Sequence, residues 1–419
     1  MVIQYYFTIV VLVLATCFPQ HSHSLSIIRD IEIEEVLNEL SRPIIVAAKL
    51  DPSRARIVIV HDQHVNAFVT KGTGIYITTG LLLKFRQPLE LVSIIAHELG
   101  HIKDGHIINS QQEAARKSII SSMIMLGSMG AAMAGNLSSD ALIATAATSS
   151  HMFERHMLHY SRQNEIAADH IAIKMLQKVG YPLEGFISVL NQLDSSARNN
   201  LNPHDLTHPL TKERLSYVKQ QIHGYIAKNS ITAKQEYALK MAISKLEGFI
   251  SKPDYILQNS TANSYAKAIA HHRKFEFQKA MNLIDSLLQK EPNNPYFHEL
   301  KGQFLLENQQ LAQAIKQYST AINLSPSSNL IKIDLAIAKL ALAGQNKSSE
   351  PIHQAIKLLK QVIHSEPDNI LALEQLGAAY GKVNKLHDAY STLSLAAELK
   401  EDHGQARRFK DLADSIPSK

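Results

Sequence analysis

The C-terminal part of the chain repeats itself, and the period constrains its fold more than any other feature. Pro292 and Pro326 stand 34 residues apart, the length of a helix pair that must stack on its neighbours to bury a face. In that frame Gly302, Ala314, Tyr318 and Ala321 take the small-residue and aromatic positions. Ala268, Ala280 and Pro292 match one unit earlier, and Pro367 opens another match with Gly377, Tyr380, Ala389 and Ala396. Small residues recur because paired helices approach closely there, and each proline ends the second helix of a pair. The unit between Pro326 and Pro367 is seven residues longer, and the polar stretch 344–350 is expected to hold the excess. Four units over residues 261–401 predict an all-α solenoid.

The whole chain has 419 residues, enough for two or three domains. Apolar residues make up 45% and charged residues 19%, which excludes global disorder. The net charge of +5 is small, and no basic stripe with interleaved aromatics marks a nucleic-acid binder. A single cysteine excludes a disulfide framework and a cysteine-based zinc finger. The 21 histidines are the compositional oddity.

At the N-terminus an apolar run of 14 residues, 5–18, is short for a membrane span and ends in Ser22-His23-Ser24. That small-x-small triplet fits cleavage of a signal peptide, residues 1–24, and export of the rest. Residues 1–24 carry no Lys or Arg, so a retained anchor is the alternative; lipidation at Cys17 is another, although Thr16 departs from the usual small residue.

Beyond the leader, residues 27–50 read as a helix with an acidic outer face. Three β-branched runs follow, at 57–60, 67–70 and 75–78, separated by polar or Gly-containing turns. From Thr79 onward almost everything favours helix. This predicts an α+β domain over 25–255, mostly helical with a small sheet, followed by the all-α repeats over 256–419. Residues 118–139 carry no charge but include three glycines, and read as a buried or mobile helical hairpin rather than a span.

Inside the first domain His97-Glu98-Leu99-Gly100-His101 follows a good apolar helix, 91–96. On a helix His97 and His101 point to one side, so both imidazoles can bind one zinc ion. Glu98 lies off that pair and can meet the metal-bound water, whose pKa zinc lowers to about 7. A third protein ligand is needed. Asp104 and Ile107 stand where an extended HExxHxxGxxH motif would have Gly and His, which excludes that route. The candidate is Glu165 of Asn164-Glu165-Ile166-Ala167-Ala168-Asp169. Asp169, one turn later, is expected to accept the N–H of a ligating histidine. His208 in a later loop is a candidate gate on the metal or a substrate contact. Arg214 is a candidate partner for a substrate carbonyl or oxyanion, with a plain salt bridge as the alternative. His106 reads as structural, and His151, His156 and His159 as solvated.

These motifs, with Asn66-Ala67-Phe68 and Thr79-Gly80-Leu81-Leu82, resemble the HtpX- and Ste-type zinc metallopeptidases, and the C-terminal units resemble tetratricopeptide repeats. The resemblance covers essentially the whole chain after the leader. It implies a gluzincin fold, one Zn2+ per chain and periplasmic quality control of outer-membrane proteins. It also implies a histidine, His208 here, that gates the metal. Polypeptide substrates would lie extended along Asn66, Ala67 and Phe68. The repeats would bind clients or the outer-membrane assembly machinery, nucleic acid is not expected, and peripheral membrane contact stays open. The rival reading makes the solenoid the working part, a scaffold beside a latent or structural zinc domain; the intact Glu98 argues against it.

Overall fold

The computed structural model describes residues 27–52, 55–69, 74–104, 162–198, 212–346 and 348–416. The leader, His106, segment 118–139, the cluster at His151, His156 and His159, and His208 lie outside the described residues.

The β-branched runs form a four-stranded sheet with β1 (Ile27–Ile28), β2 (Ile57–Val60), β3 (Ala67–Val69) and β4 (Ile75–Thr78). Its order is β1-β2-β4-β3, with β2 and β4 parallel and the other pairs antiparallel. Parallel pairing suits strands buried on both faces, and Ile59, Ile75 and Ile77 have no exposed surface. The sequence places 27–50 in one helix, but Ile27 and Ile28 pair with Val60 and Ile59 instead. The helix α1 (Ile31–Ala47) starts after Asp30, whose side chain accepts from the Ile33 N–H at 3.0 Å. A cap that good fixes the start and releases the preceding isoleucines to the sheet.

Helix α2 (Thr79–Lys84) leads into α3 (Pro88–Lys103), which carries the HExxH sequence. Pro88 suits a first helical turn, and the Glu90 carboxylate accepts from the Gln87 N–H at 3.3 Å. Glu90 Oε1 also accepts from Ser188 Oγ and Gln192 Nε2, each at 2.6 Å, which ties α3 to α5 (Glu184–Arg198). Between them runs α4, residues 162–179. Next come α6 (Lys212–Ile222), α7 (Ala233–Ile250) and α8 (Pro253–Gln258). One core joins Leu37 and Ile44 of α1, the sheet isoleucines, Leu91 and Ile95 of α3, Leu176 of α4 and Phe186 of α5. Since α3 is buried nearly all round, its polar residues stand in a dry interior.

The repeats are four helix pairs. They run α9 (Ser264–Arg273) with α10 (Phe277–Lys290), α11 (Pro295–Glu307) with α12 (Leu311–Leu324), α13 (Asn329–Asn346) with α14 (Glu350–Ser365), and α15 (Ile370–Lys382) with α16 (Leu386–Leu399). A last helix, α17 (His403–Asp414), packs on α16. The seven extra residues of the third pair are not in its loop. Helix α13 has 18 residues against 13 in α11, and α14 has 16 against 14 in α12. Gly344 and its polar neighbours continue α13 because that end of the helix is half exposed, where an open side costs nothing in packing.

The two parts meet through buried charge. Lys245 Nζ of α7 lies 2.8 Å from Asp30 Oδ2 and 2.8 Å from Glu299 Oε2 of α11. Tyr265 of α9 donates to Glu32 Oε2 at 2.8 Å, and Tyr296 of α11 donates to Glu35 Oε2 at 2.6 Å. Burial pushes the Glu32 carboxyl up to about 8 despite the nearby Lys245 charge. Among the described residues no helix is long and apolar enough to cross a membrane.

Candidate metal centre

Three side chains from two helices share one buried spot. On α3, the spacing of His97 and His101 brings their Nε2 atoms within 3.1 Å. Opposite them α4 offers Glu165, with Oε2 3.2 Å from His97 Nε2 and Oε1 3.2 Å from His101 Nε2. Two imidazole nitrogens and a carboxylate thus converge on a single point. A tetrahedral ion with bonds of about 2.0–2.1 Å would hold its ligand atoms about 3.3–3.4 Å apart, close to the spacings found. The set fits a divalent cation, and all three residues are buried.

Around that point lies a further ring of charge. His97 Nδ1 meets Asp169 Oδ1 at 2.9 Å, which leaves Nε2 to face Glu165 and His101. Arg214 of α6 clamps Asp169 twice, Nε to Oδ2 at 2.6 Å and Nη2 to Oδ1 at 2.8 Å, and also reaches Glu165 Oε2 at 2.9 Å. Arg214 is 3% exposed, so its guanidinium sits among these carboxylates away from bulk water. Burial lowers the His97 imidazolium, but Glu165 and Asp169 overcome it and push the group up to about 10. Burial outweighs the Glu165 hydrogen bond at His101 and holds it below the usual histidine range. Asp169 is held low: burial raises it, but bonds from His97 and Arg214 prevail.

Glu98 is buried beside His97 and faces a pocket of about 70 Å³. Asn66 and Ala67 of the edge strand region line the same pocket, together with Arg214. Phe68 does not: its ring stacks on Tyr76 with centroids 5.0 Å apart. The pocket floor is apolar, built from Leu81, Phe85, Ile94, Phe186, Leu190 and Leu193. The α5 contribution is absent from the sequence reading. Its apolar residues at 186, 189, 190 and 193 follow helical spacing, a signal that marks a buried face without telling a core wall from a pocket wall.

Residues 28–222 match Peptidase family M48. The chain carries an M48 peptidase domain. That match supports a metalloprotease, and the His97, His101 and Glu165 cluster falls inside the matched residues. A relative from Vibrio cholerae is 25% identical, with 93% of this chain and 81% of its own length aligned. The Escherichia coli K12 protein named beta-barrel assembly-enhancing protease is 23% identical, over 86% of this chain and 74% of its own. Among solved structures, YrrB, titled a TPR protein with an unusual peptide-binding site, is 15% identical with a TM-score of 0.30, covering 57% of this chain and 96% of that one.

Proposed function

We propose that the chain is a zinc-dependent endopeptidase of the gluzincin type, with His97, His101 and Glu165 holding one Zn2+. The observation that carries this reading is the convergence of two Nε2 atoms and one carboxylate beside the buried Glu98. A His2Glu set with a neighbouring carboxylate is that of a hydrolytic rather than a structural site. Zinc, when bound, supplies Lewis acidity for the scissile carbonyl and for water.

The residues of the chain do the rest. Glu98 takes the proton of the attacking water and passes it to the leaving amine. Asp169 fixes the His97 tautomer, and Arg214 holds Asp169 and Glu165 in place while lining the substrate pocket. A peptide extended past Asn66 and Ala67 would put an apolar side chain into the Phe85–Phe186–Leu190 floor. His208 is proposed as a gate on the open metal position.

The domain boundaries proposed are a leader over 1–24, the peptidase over 25–255 and the repeats over 256–419. The names of the relatives support a place in quality control of exported outer-membrane proteins in the periplasm, with the repeats binding clients or the assembly machinery. The test is metal content and casein cleavage of the full chain after the leader. One zinc per chain, with Glu98→Gln keeping the zinc but losing activity by about 100-fold or more, is the expected result. Retained cleavage in Glu98→Gln, or no zinc in the parent protein, overturns the assignment. Higher activity in His208→Ala is expected of a gate.

A further inference from the structure

The helices that carry the metal-site residues touch backbone to backbone, and the contact is at a glycine. A Cβ placed on Gly100 of α3 would lie 2.6 Å from the carbonyl oxygen of Ala168 on α4 and 3.0 Å from its Cα. Gly100 stands between Glu98 and His101, and Ala168 between Glu165 and Asp169. The crossing is therefore flanked on both helices by the residues of the site. Gly100 is in the helix and is not among the glycines with positive φ, so conformational freedom does not explain it. Helix propensity opposes it, because alanine is preferred in a helix interior. Close approach is the remaining physical reason.

The distance matters because Glu165 has little slack. Its Oε2 stands 3.2 Å from His97 Nε2 and its Oε1 3.2 Å from His101 Nε2. Restoring ordinary contact at the crossing would move the helices apart by about 0.8 Å, and metal–ligand distances tolerate only about 0.2 Å. A helix backbone cannot swing aside as a flexible side chain can. We infer that Gly100 is a positioning residue for the metal: its missing Cβ sets the α3–α4 distance at which Glu165 reaches His97 and His101. The inference rests on the zinc reading given above.

Gly185 supplies a matched control. A Cβ there would lie 2.5 Å from the Leu89 carbonyl oxygen, an equally severe backbone clash, but at the start of α3 and against α5. The experiment strips the full chain of metal, reloads it with Co2+, records the visible bands and measures zinc affinity by chelator competition. Gly100→Ala, folded by circular dichroism, is expected to bind zinc about 10- to 100-fold more weakly and to lose or shift the cobalt bands. Gly185→Ala is expected to lose thermal stability while keeping both affinity and bands. Ala168→Val, at the buried residue whose backbone meets Gly100, is read in the same way if Gly100→Ala does not fold. Unchanged bands and affinity in the folded variant at this crossing overturn the inference, as does an equal loss in Gly185→Ala. A parent protein that takes up no cobalt instead defeats the zinc assignment, and this inference with it.

Discussion

The repeats and the metal centre solve the same packing problem with opposite materials. In the repeats, contact is local and apolar: Gly302 lies under the Tyr318 ring, 16 residues on, and a Cβ there would come within 3.0 Å of it. In the metal centre, contact is long-range and charged: Asp169 and Arg214 are 45 residues apart, and both are buried. A clash in the repeats can be relieved by a shifted side chain. A missing cation in the centre leaves buried carboxylates without their counter-charge, a cost that a shifted side chain does not relieve. Damage should therefore be graded in one region and abrupt in the other.

The sharpest way to break that contrast is Arg214→Ala. It leaves the Asp169 and Glu165 carboxylates without their guanidinium, and the expected loss is about 3–5 kcal/mol in denaturant unfolding. Arg214→Lys should recover little, because one ammonium cannot reproduce the two-point grip on Asp169. A loss under about 1 kcal/mol would place this cluster with ordinary surface ion pairs and end the comparison.

The junction between the two parts tests the same idea through pH. Burial raises Glu32 from 4.5 to about 8, so the folded chain keeps a proton there that the unfolded chain has released. Stability from this group is fully present below pH 4.5 and is lost as the pH rises through 8. The slope in between is at most about 1.4 kcal/mol per pH unit for one group. Unfolding measured from pH 5 to pH 8 should show the decline, and Glu32→Gln should flatten it. Asp334 of α13, also raised to about 8 by burial, should preserve part of the slope in that variant.

The smallest effect is expected in the repeats. Gly302→Ala should cost about 1 kcal/mol, since the Tyr318 ring can give by a few tenths of an ångström. A cost matching that of Arg214→Ala would show that the repeats are as rigidly specified as the centre.

How much of this was legible in the sequence follows from the same contrast. A period of 34 residues is a local signal repeated, so the helix pairs could be read off Pro292, Pro326 and Pro367. The third pair shows the limit: its length was visible, but helices α13 and α14, not the 344–350 stretch, took up the excess. His97 and His101 were legible because one helical turn brings them together. Glu165 was reachable only by chemical need, and the helical spacing of Phe186, Val189, Leu190 and Leu193 marked a buried face but not a pocket wall, since a buried face looks alike in a core and in a cleft. Ile27 and Ile28 were misread because an apolar run does not say where a helix starts; the Asp30 cap does.

Sequence alone determined the α+β and all-α halves and the placing of His97 beside His101, because each depends on spacing within one helix or one repeat. Only the tertiary structure decided which carboxylates lock onto which cations. Arg214 grips Asp169 and Glu165, and Lys245 joins Asp30 to Glu299, at distances that no spacing along the chain encodes. The physical reason is that a buried charge is held by whatever the fold carries to within about 3 Å of it, and that is a property of helices meeting in space.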